Sequence, residues 1–214
     1  MNKEEVDFNK ITKIIESDVG ISYKLLRLVN SFSLINEVNS IRHALAILGI
    51  REIEKWINFI MVSDFISEND DKIVRMSVIR SRFAELIAEN SNQVARKYQA
   101  SLVGLFSMID VVLGKSLNRI FKEIPMNADV KDAIMLKATS PLYDIYDVIL
   151  FYEKANWDNL DKSCEKLGIN PASVPNLYFE SVSWANKYVF TYDEISDQAN
   201  KESMQNFVKE EKEE

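Results

Sequence analysis

Apolar residues recur along this chain at the spacing of a single helix face, and they do so many times. Ile21, Leu25 and Leu28 form one stripe, Ile53, Ile57 and Ile60 another. Ile73, Met76, Phe83 and Leu86 follow, then Ala95, Tyr98, Leu102, Leu105 and Ile109. Ile145, Ile149 and Tyr152 repeat the pattern, as do Tyr178, Val182, Ala185 and Val189. Each stripe predicts an amphipathic helix with one buried face. No comparable stretch alternates with period two, so strands are not required. Turn-formers are scarce as well. The chain has 5 Gly and 4 Pro among 214 residues, against a usual share of roughly 12% for the two together. The expectation is an all-α fold, a compact multi-helix bundle of about ten helices with short connections.

The breaks agree with the stripes. Ser40 is placed to cap a helix that ends at Gly49, a candidate left-handed residue. Asn69 and Asp70 interrupt the pattern, and Gly114 followed by Ser116 closes one helix and opens the next. Asn127 caps a helix after Pro125, and Pro141 is expected to end the helix before it at about Thr139. Gly168 ends another helix, and Asn170 with Pro171, or Ser173, starts the last large one. No fixed internal period is visible, which argues against a solenoid. Residues 1–190 read as one helical domain. The stretch Ser67 to Asp71 is the best place for an internal boundary, between a small bundle over 1–66 and a larger one over 70–190 packed on it.

Net charge is −7, and most of it sits in the tail. Residues 191–214 carry eight acids against three bases and few large apolar side chains, so they read as an acidic, weakly ordered segment. Nowhere is there the basic excess needed to neutralise several phosphates, so nonspecific nucleic-acid binding is not expected. With one cysteine, Cys164, no internal disulfide is possible. No run approaches the 18 apolar residues that suggest a membrane span, and a cytoplasmic protein is expected.

Two stretches go beyond composition. Leu25-Leu26-Arg27-Leu28-Val29-Asn30-Ser31 precedes Ser40-Ile41-Arg42-His43-Ala44-Leu45-Ala46-Ile47-Leu48-Gly49. Together they resemble the signature of HDOD domains. Arg80 through Leu86, Leu102 through Ser107, and Asp110 through Gly114 are similar to the HDOD half of EAL–HDOD signalling proteins. The resemblance covers most of 10–190. It implies an all-α fold descended from HD-domain phosphohydrolases and used in bacterial signalling. In the two-domain relatives a cyclic-di-GMP phosphodiesterase-like EAL domain precedes this one, and no EAL domain is present in this sequence.

HD enzymes hold metal ions with several His and Asp ligands, and the metal activates water. This chain has one histidine, His43, in the wrong segment. In the stretch that resembles the His-Asp pair, Ile109 precedes Asp110, so the Asp remains and the His is gone. Where an upstream ligand His would sit, the nearest match is Arg80, a permanent cation. No cofactor or metal is therefore expected. Asp110 lies in an apolar run, and a buried carboxylate requires a partner. Arg80 or Arg82 is expected to supply it, with a guanidinium standing where a metal once did. His43 falls where a Glu would close a capping box and reads as a first-turn surface residue. Cys164 reads as a free, inert thiol. Trp56 and Trp184 read as packing residues, and Trp157, at a helix start, as exposed.

With hydrolysis disfavoured, recognition remains. Arg27, Asn30, Ser31 and Arg42 are the polar residues of an otherwise apolar signature. They serve either local hydrogen bonding at a helix end or a docking surface on which Phe32 and Leu34 act as anchors. The leading expectation is a non-catalytic output module that binds another signalling protein or domain, an EAL-type one among the candidates, in cyclic-di-GMP signalling. A nucleotide or small-molecule sensor with an Arg-lined pocket at Arg80 and Arg82 is the alternative. A residual phosphohydrolase is the third. Oligomeric state is left open.

Overall fold

The computed structural model describes residues 8–32, 38–64, 71–124 and 126–186, with the backbone alone described at 31, 32, 61–64 and 71. Among these residues the regular structure is helical throughout. The helices are α1 (Phe8–Glu16), α2 (Val19–Phe32), α3 (Ile41–Leu48), α4 (Ile50–Asp64), α5 (Asp71–Glu89) and α6 (Lys97–Phe106). They continue with α7 (Ile109–Leu113), α8 (Leu117–Glu123), α9 (Ala128–Ile134), α10 (Tyr143–Glu153) and α11 (Trp157–Leu167). A final helix, α12, occupies residues 174–186. The all-α bundle foreseen from the stripes is the fold observed.

Caps set most of the boundaries. Ser40 Oγ accepts from the His43 backbone N–H at 3.3 Å, which starts α3. His43 itself is exposed in that first turn. Asn127, Asn156 and Asn170 cap the elements that follow them through their side-chain oxygens. Gly114 and Gly168 close α7 and α11 in the left-handed conformation, which costs glycine least. Gly49 differs from expectation. Its φ is +73° but its ψ is 160°, so it is not left-handed helical. Its carbonyl instead accepts from Ile53 N–H and opens α4 at once.

Two further expectations are corrected. The helix before Pro141 ends at Ile134, not at Thr139. Leu136 takes a φ of +57°, and the Lys137 N–H turns back to the Asp132 carbonyl at 2.9 Å. That closure stops α9 well before the proline can act. The long stripe from Ala95 to Ile109 is not one helix. Ala95 lies exposed in a 3-10 turn, Val94–Arg96, and α6 and α7 are separate. α6 buries Ala100, Ser101, Val103, Gly104, Leu105 and Phe106. A helix buried on several sides has no single stripe to read. Ile57 is also 38% exposed, and Trp56 with Phe59 takes the inward role on α4.

The described residues divide into two compact units, 8–54 and 55–186, with the division inside α4. In the first, α1, α2 and α3 pack on one another over Ile15, Leu25, Leu28, Ile41 and Leu45. In the second, α5 and α6 form the most extensive pair, and α10 packs against α5, α6, α9 and α11. A Cβ on Gly104 would stand 2.2 Å from the Arg80 carbonyl oxygen, so α5 and α6 touch backbone to backbone there. The boundary foreseen at Ser67–Asp71 falls almost wholly, and the acidic tail 191–214 wholly, outside the described residues.

No helix among the described residues is long and apolar enough to cross a membrane.

Candidate functional site

The close approach at Gly104 fixes the geometry around Arg80. Arg80 sits on α5 opposite Gly104. Its Nε and Nη2 donate to Glu153 Oε1 and Oε2 at 2.8 and 2.5 Å, a two-pronged pair with the last residue of α10. Its Nη1 donates to Ser107 Oγ at 3.0 Å. The Ser107 hydroxyl in turn donates to the Gly104 carbonyl at 2.7 Å. One guanidinium therefore ties α5, the end of α6 and α10 together. The Arg80 and Glu153 side chains are only 13% and 19% exposed. Burial alone would depress the Arg80 pKa, but the pair with Glu153 outweighs it and holds the cation above its ordinary value. Nearby, burial raises the Tyr146 phenol, Arg80 opposes that shift, and Glu153 and Asp110 add to it.

The expected partner of Asp110 is not the one found. No ion pair joins Asp110 to Arg80 or Arg82 among the described residues, because both guanidiniums are taken elsewhere. Asp110 is half-buried in the first turn of α7, while Ile109 beside it is 3% exposed and belongs to the core. The sequence placed the carboxylate in an apolar run, but one turn of helix lets it reach the surface. Among the described residues no three His, Cys, Asp or Glu side chains stand together as a metal-holding group.

Arg82 heads a second network. Its Nη1 donates to Glu85 Oε2 at 2.9 Å and its Nη2 to Glu180 Oε1 at 3.1 Å. Glu85 also accepts from Lys55 Nζ at 2.5 Å. Burial would raise the Glu85 pKa, but Lys55 and Arg82 overcome it and hold the carboxyl below its usual range. The Arg82 guanidinium lies 5.9 Å from the centre of the Trp184 ring. Phe83, the residue after Arg82, belongs to an aromatic cluster. Phe83 meets Tyr152 and Tyr178 edge-on at 5.6 and 5.3 Å, and Tyr152 meets the 54% exposed Trp157 at 5.9 Å.

The other predicted site residues lie in the first unit. Asn30 does more than end its own helix. Its Nδ2 donates to the Val38 carbonyl at 2.8 Å and its Oδ1 accepts from the Val38 N–H at 2.7 Å. The amide thus ties the end of α2 to the backbone eight residues on. Arg27 lies over the Tyr23 ring at 5.9 Å, and Arg42 is exposed on α3. The side chains of Ser31, Phe32 and Leu34 lie outside the described residues. Sequence reasoning missed Glu153, Ser107, Tyr146, Lys55 and Glu180. Glu85 carried a signal, since it follows Arg82 by three positions on one helix. Nothing local connects Arg80 to a carboxylate 73 residues away.

Regular structure that is helical throughout the described residues is that of an all-α, HD-like fold. The HDOD domain model matches residues 1–140, and the chain belongs to the HDOD family. Glu153 and Glu180 lie beyond the matched residues. The chain is similar to the cyclic di-GMP phosphodiesterase CdgJ of Vibrio cholerae, 30% identical over 183 residues, which are 85% of this chain and 42% of that protein. It is also similar to the uncharacterized protein YuxH of Bacillus subtilis, 29% identical over 195 residues, 87% of this chain and 46% of YuxH. The chain spans less than half the length of these relatives. No solved structure matches it.

Proposed function

We propose that this chain is a non-catalytic signalling module that acts by binding another protein, and that it serves cyclic-di-GMP signalling. One observation carries the non-catalytic half. At the position that resembles a metal-ligand histidine stands Arg80, hydrogen-bonded to Glu153 and Ser107. A guanidinium donates hydrogen bonds and accepts none, so it cannot ligate a cation. Arg80 and Arg82 are both paired with carboxylates, which argues against the sensor reading at these two residues. The signalling half is supported by the relative whose name is that of a cyclic di-GMP phosphodiesterase. In this reading the activity of that relative resides in the part of its length that this chain does not match. The partner is then a phosphodiesterase-type protein of the EAL class, met in the cytoplasm.

The surface around Arg27, Asn30 and Arg42 remains the proposed contact region, with Asn30 holding the loop rather than touching the partner. Arg42→Ala is the cleaner probe, because Arg42 is exposed.

The test has two arms. Purified protein is first assayed with Mn2+ against cyclic di-GMP and a phosphomonoester, beside Asp110→Asn. No turnover is expected, and hydrolysis lost in Asp110→Asn would sink the reading. Binding to a purified EAL-type domain is then measured by calorimetry. Saturable binding weakened by Arg42→Ala supports the interaction reading, and absence of binding refutes the assigned partner.

A further inference from the structure

Two arginines of the first unit stand apart from the ion pairs. Arg80, Arg82 and Arg119 each meet a carboxylate, whereas no carboxylate among the described residues pairs with Arg42 or Arg51. Both are exposed. Arg42 lies in the first turn of α3 and Arg51 in the first turn of α4. The first turn of α3 holds no acid, and Arg42 and His43 occupy it instead. A helix start favours negative charge, so Arg42 is unfavourably placed within its own helix.

α3 is sharply two-sided. Ile41, Ala44 and Leu45 are buried, while Arg42, His43, Ala46 and Ile47 are exposed. These four adjoin on one side, since residues three and four apart are neighbours on a helix. Ile47 is 49% exposed. The backbone at the helix start is already engaged, because Ser40 Oγ accepts from the His43 N–H. The corner into α4 is held by two backbone hydrogen bonds, Gly49 N–H to the Leu45 carbonyl at 2.9 Å and Ile53 N–H to the Gly49 carbonyl at 3.2 Å. In chain order a cation stands at each end, Arg42 and Arg51, with the apolar pair Ala46 and Ile47 between them.

We infer, on the proposed reading that this region meets a partner protein, that the outer face of α3 receives an acidic segment of that partner. Its carboxylates lie against Arg42 and Arg51, and an apolar side chain lies against Ala46 and Ile47. The guanidinium fork matches a carboxylate through two parallel hydrogen bonds. The apolar pair adds contact that a purely charged ligand does not use. A nucleic acid or an anionic membrane fits less well. Two arginines neutralise few phosphates, and Glu52 and Glu54, exposed on α4, repel an extended polyanion.

The test uses the full chain, labelled with nitrogen-15, and a designed helical peptide in which paired Glu residues flank one Leu. The same peptide with Gln for Glu is the control. Saturable binding of the Glu peptide is expected with a Kd below about 1 mM. It should be at least about ten-fold tighter than that of the Gln peptide, with amide shifts centred on residues 41–51. Arg42→Ala with Arg51→Ala should abolish the preference for Glu, and Ile47→Ala should weaken both peptides about three-fold. Circular dichroism checks that each variant is folded. No saturable binding, equal affinities for the two peptides, or shifts centred elsewhere would overturn the inference. So would tighter binding of a single-stranded oligonucleotide or of anionic vesicles. A purified EAL-type domain is titrated alongside. If that domain fails to bind while the Glu peptide docks on α3, the assigned partner falls and the acid-binding face stands. If the domain binds equally well to the chain carrying both arginine substitutions, the partner stands and the acid-binding face falls.

Discussion

Arg80 shows how far one side chain can reorganise a site. Its three hydrogen bonds bind two helices and a turn, and each partner alone would be costly to leave behind. Removing one member of a shielded pair strands the other, at a cost of up to about 3 kcal/mol here, near the lower end of measured buried pairs. Glu153→Gln should therefore lower the urea midpoint clearly, while Arg80→Met with Glu153→Leu should recover most of the loss. A double variant no more stable than the singles would show that the pair is not the unit of stability. Glu85 and Asp147 move with pH in opposite senses. The folded pKa of Glu85 is depressed by Lys55 and Arg82 against the pull of burial. Its contribution is present above the unfolded pKa and is lost as pH falls through the folded one. Glu85→Gln should then cost about 2 kcal/mol at pH 7 and progressively less towards pH 3. Asp147 is 8% exposed and raised chiefly by burial, with the Tyr143 hydroxyl working the other way. Its contribution is present below the unfolded pKa and is lost as pH rises through the folded one. Asp147→Asn should stabilise the protein at pH 7, by under about 1 kcal/mol, and make little difference at pH 3.

At the scale of elements, packing decides what propensity leaves open. α5 and α6 meet at Gly104 with no room for a methyl group, since its nearest neighbours would be the Arg80 carbonyl and the Ser81 nitrogen at 2.2 and 2.5 Å. Those atoms are backbone and cannot swing aside. Gly104→Ala should destabilise by about 3 kcal/mol or more, beyond the usual range for one added carbon. Circular dichroism melts of the variant would check it, and a loss below about 1 kcal/mol would mean that the helices can separate freely. The same crossing aims Arg80 and Ser107 at each other, so a mild loss of helix content with a free Arg80 is not an available outcome. α3 is the contrasting case, because its start is settled locally. Ser40→Ala removes one cap and should cost about 1 kcal/mol, readable in the denaturation midpoint of the first unit.

For the molecule as a whole, the compact units 8–54 and 55–186 each carry one of the two groups of predicted site residues. Arg27, Asn30 and Arg42 belong to the first, and Arg80, Arg82, Ile109 and Asp110 to the second. If Arg80 stands where a metal ligand once did, as proposed, the fold should not depend on divalent ions. Adding EDTA or Mn2+ to the purified chain should leave the melting temperature unchanged. A bound metal would instead raise it by mass action, and a rise of several degrees with Mn2+ would overturn the non-catalytic reading. Cys164 is silent at this scale, its thiol pushed up to about 11 by burial, with Asp161 adding to the shift. It is expected to resist thiol reagents until its unit opens.

The helical class, most helix starts and the scarcity of histidine were legible in the sequence. Those depend on neighbours a few residues apart: Ser40 with His43, Asn127 with Asp129, Gly168 after α11, and a histidine count of one. It also marked Arg80 and Arg82 as the residues to watch. Their partners were set by packing. Arg80 chose Glu153 over Asp110, and Arg82 reached Glu180, because helix crossings bring together positions 73 and 98 residues apart. α6 hid its pattern for a related reason, being buried on too many sides to leave a stripe. Local chemistry is written in short spacings, whereas the direction in which a side chain points after two helices cross is fixed by packing, which no short spacing records.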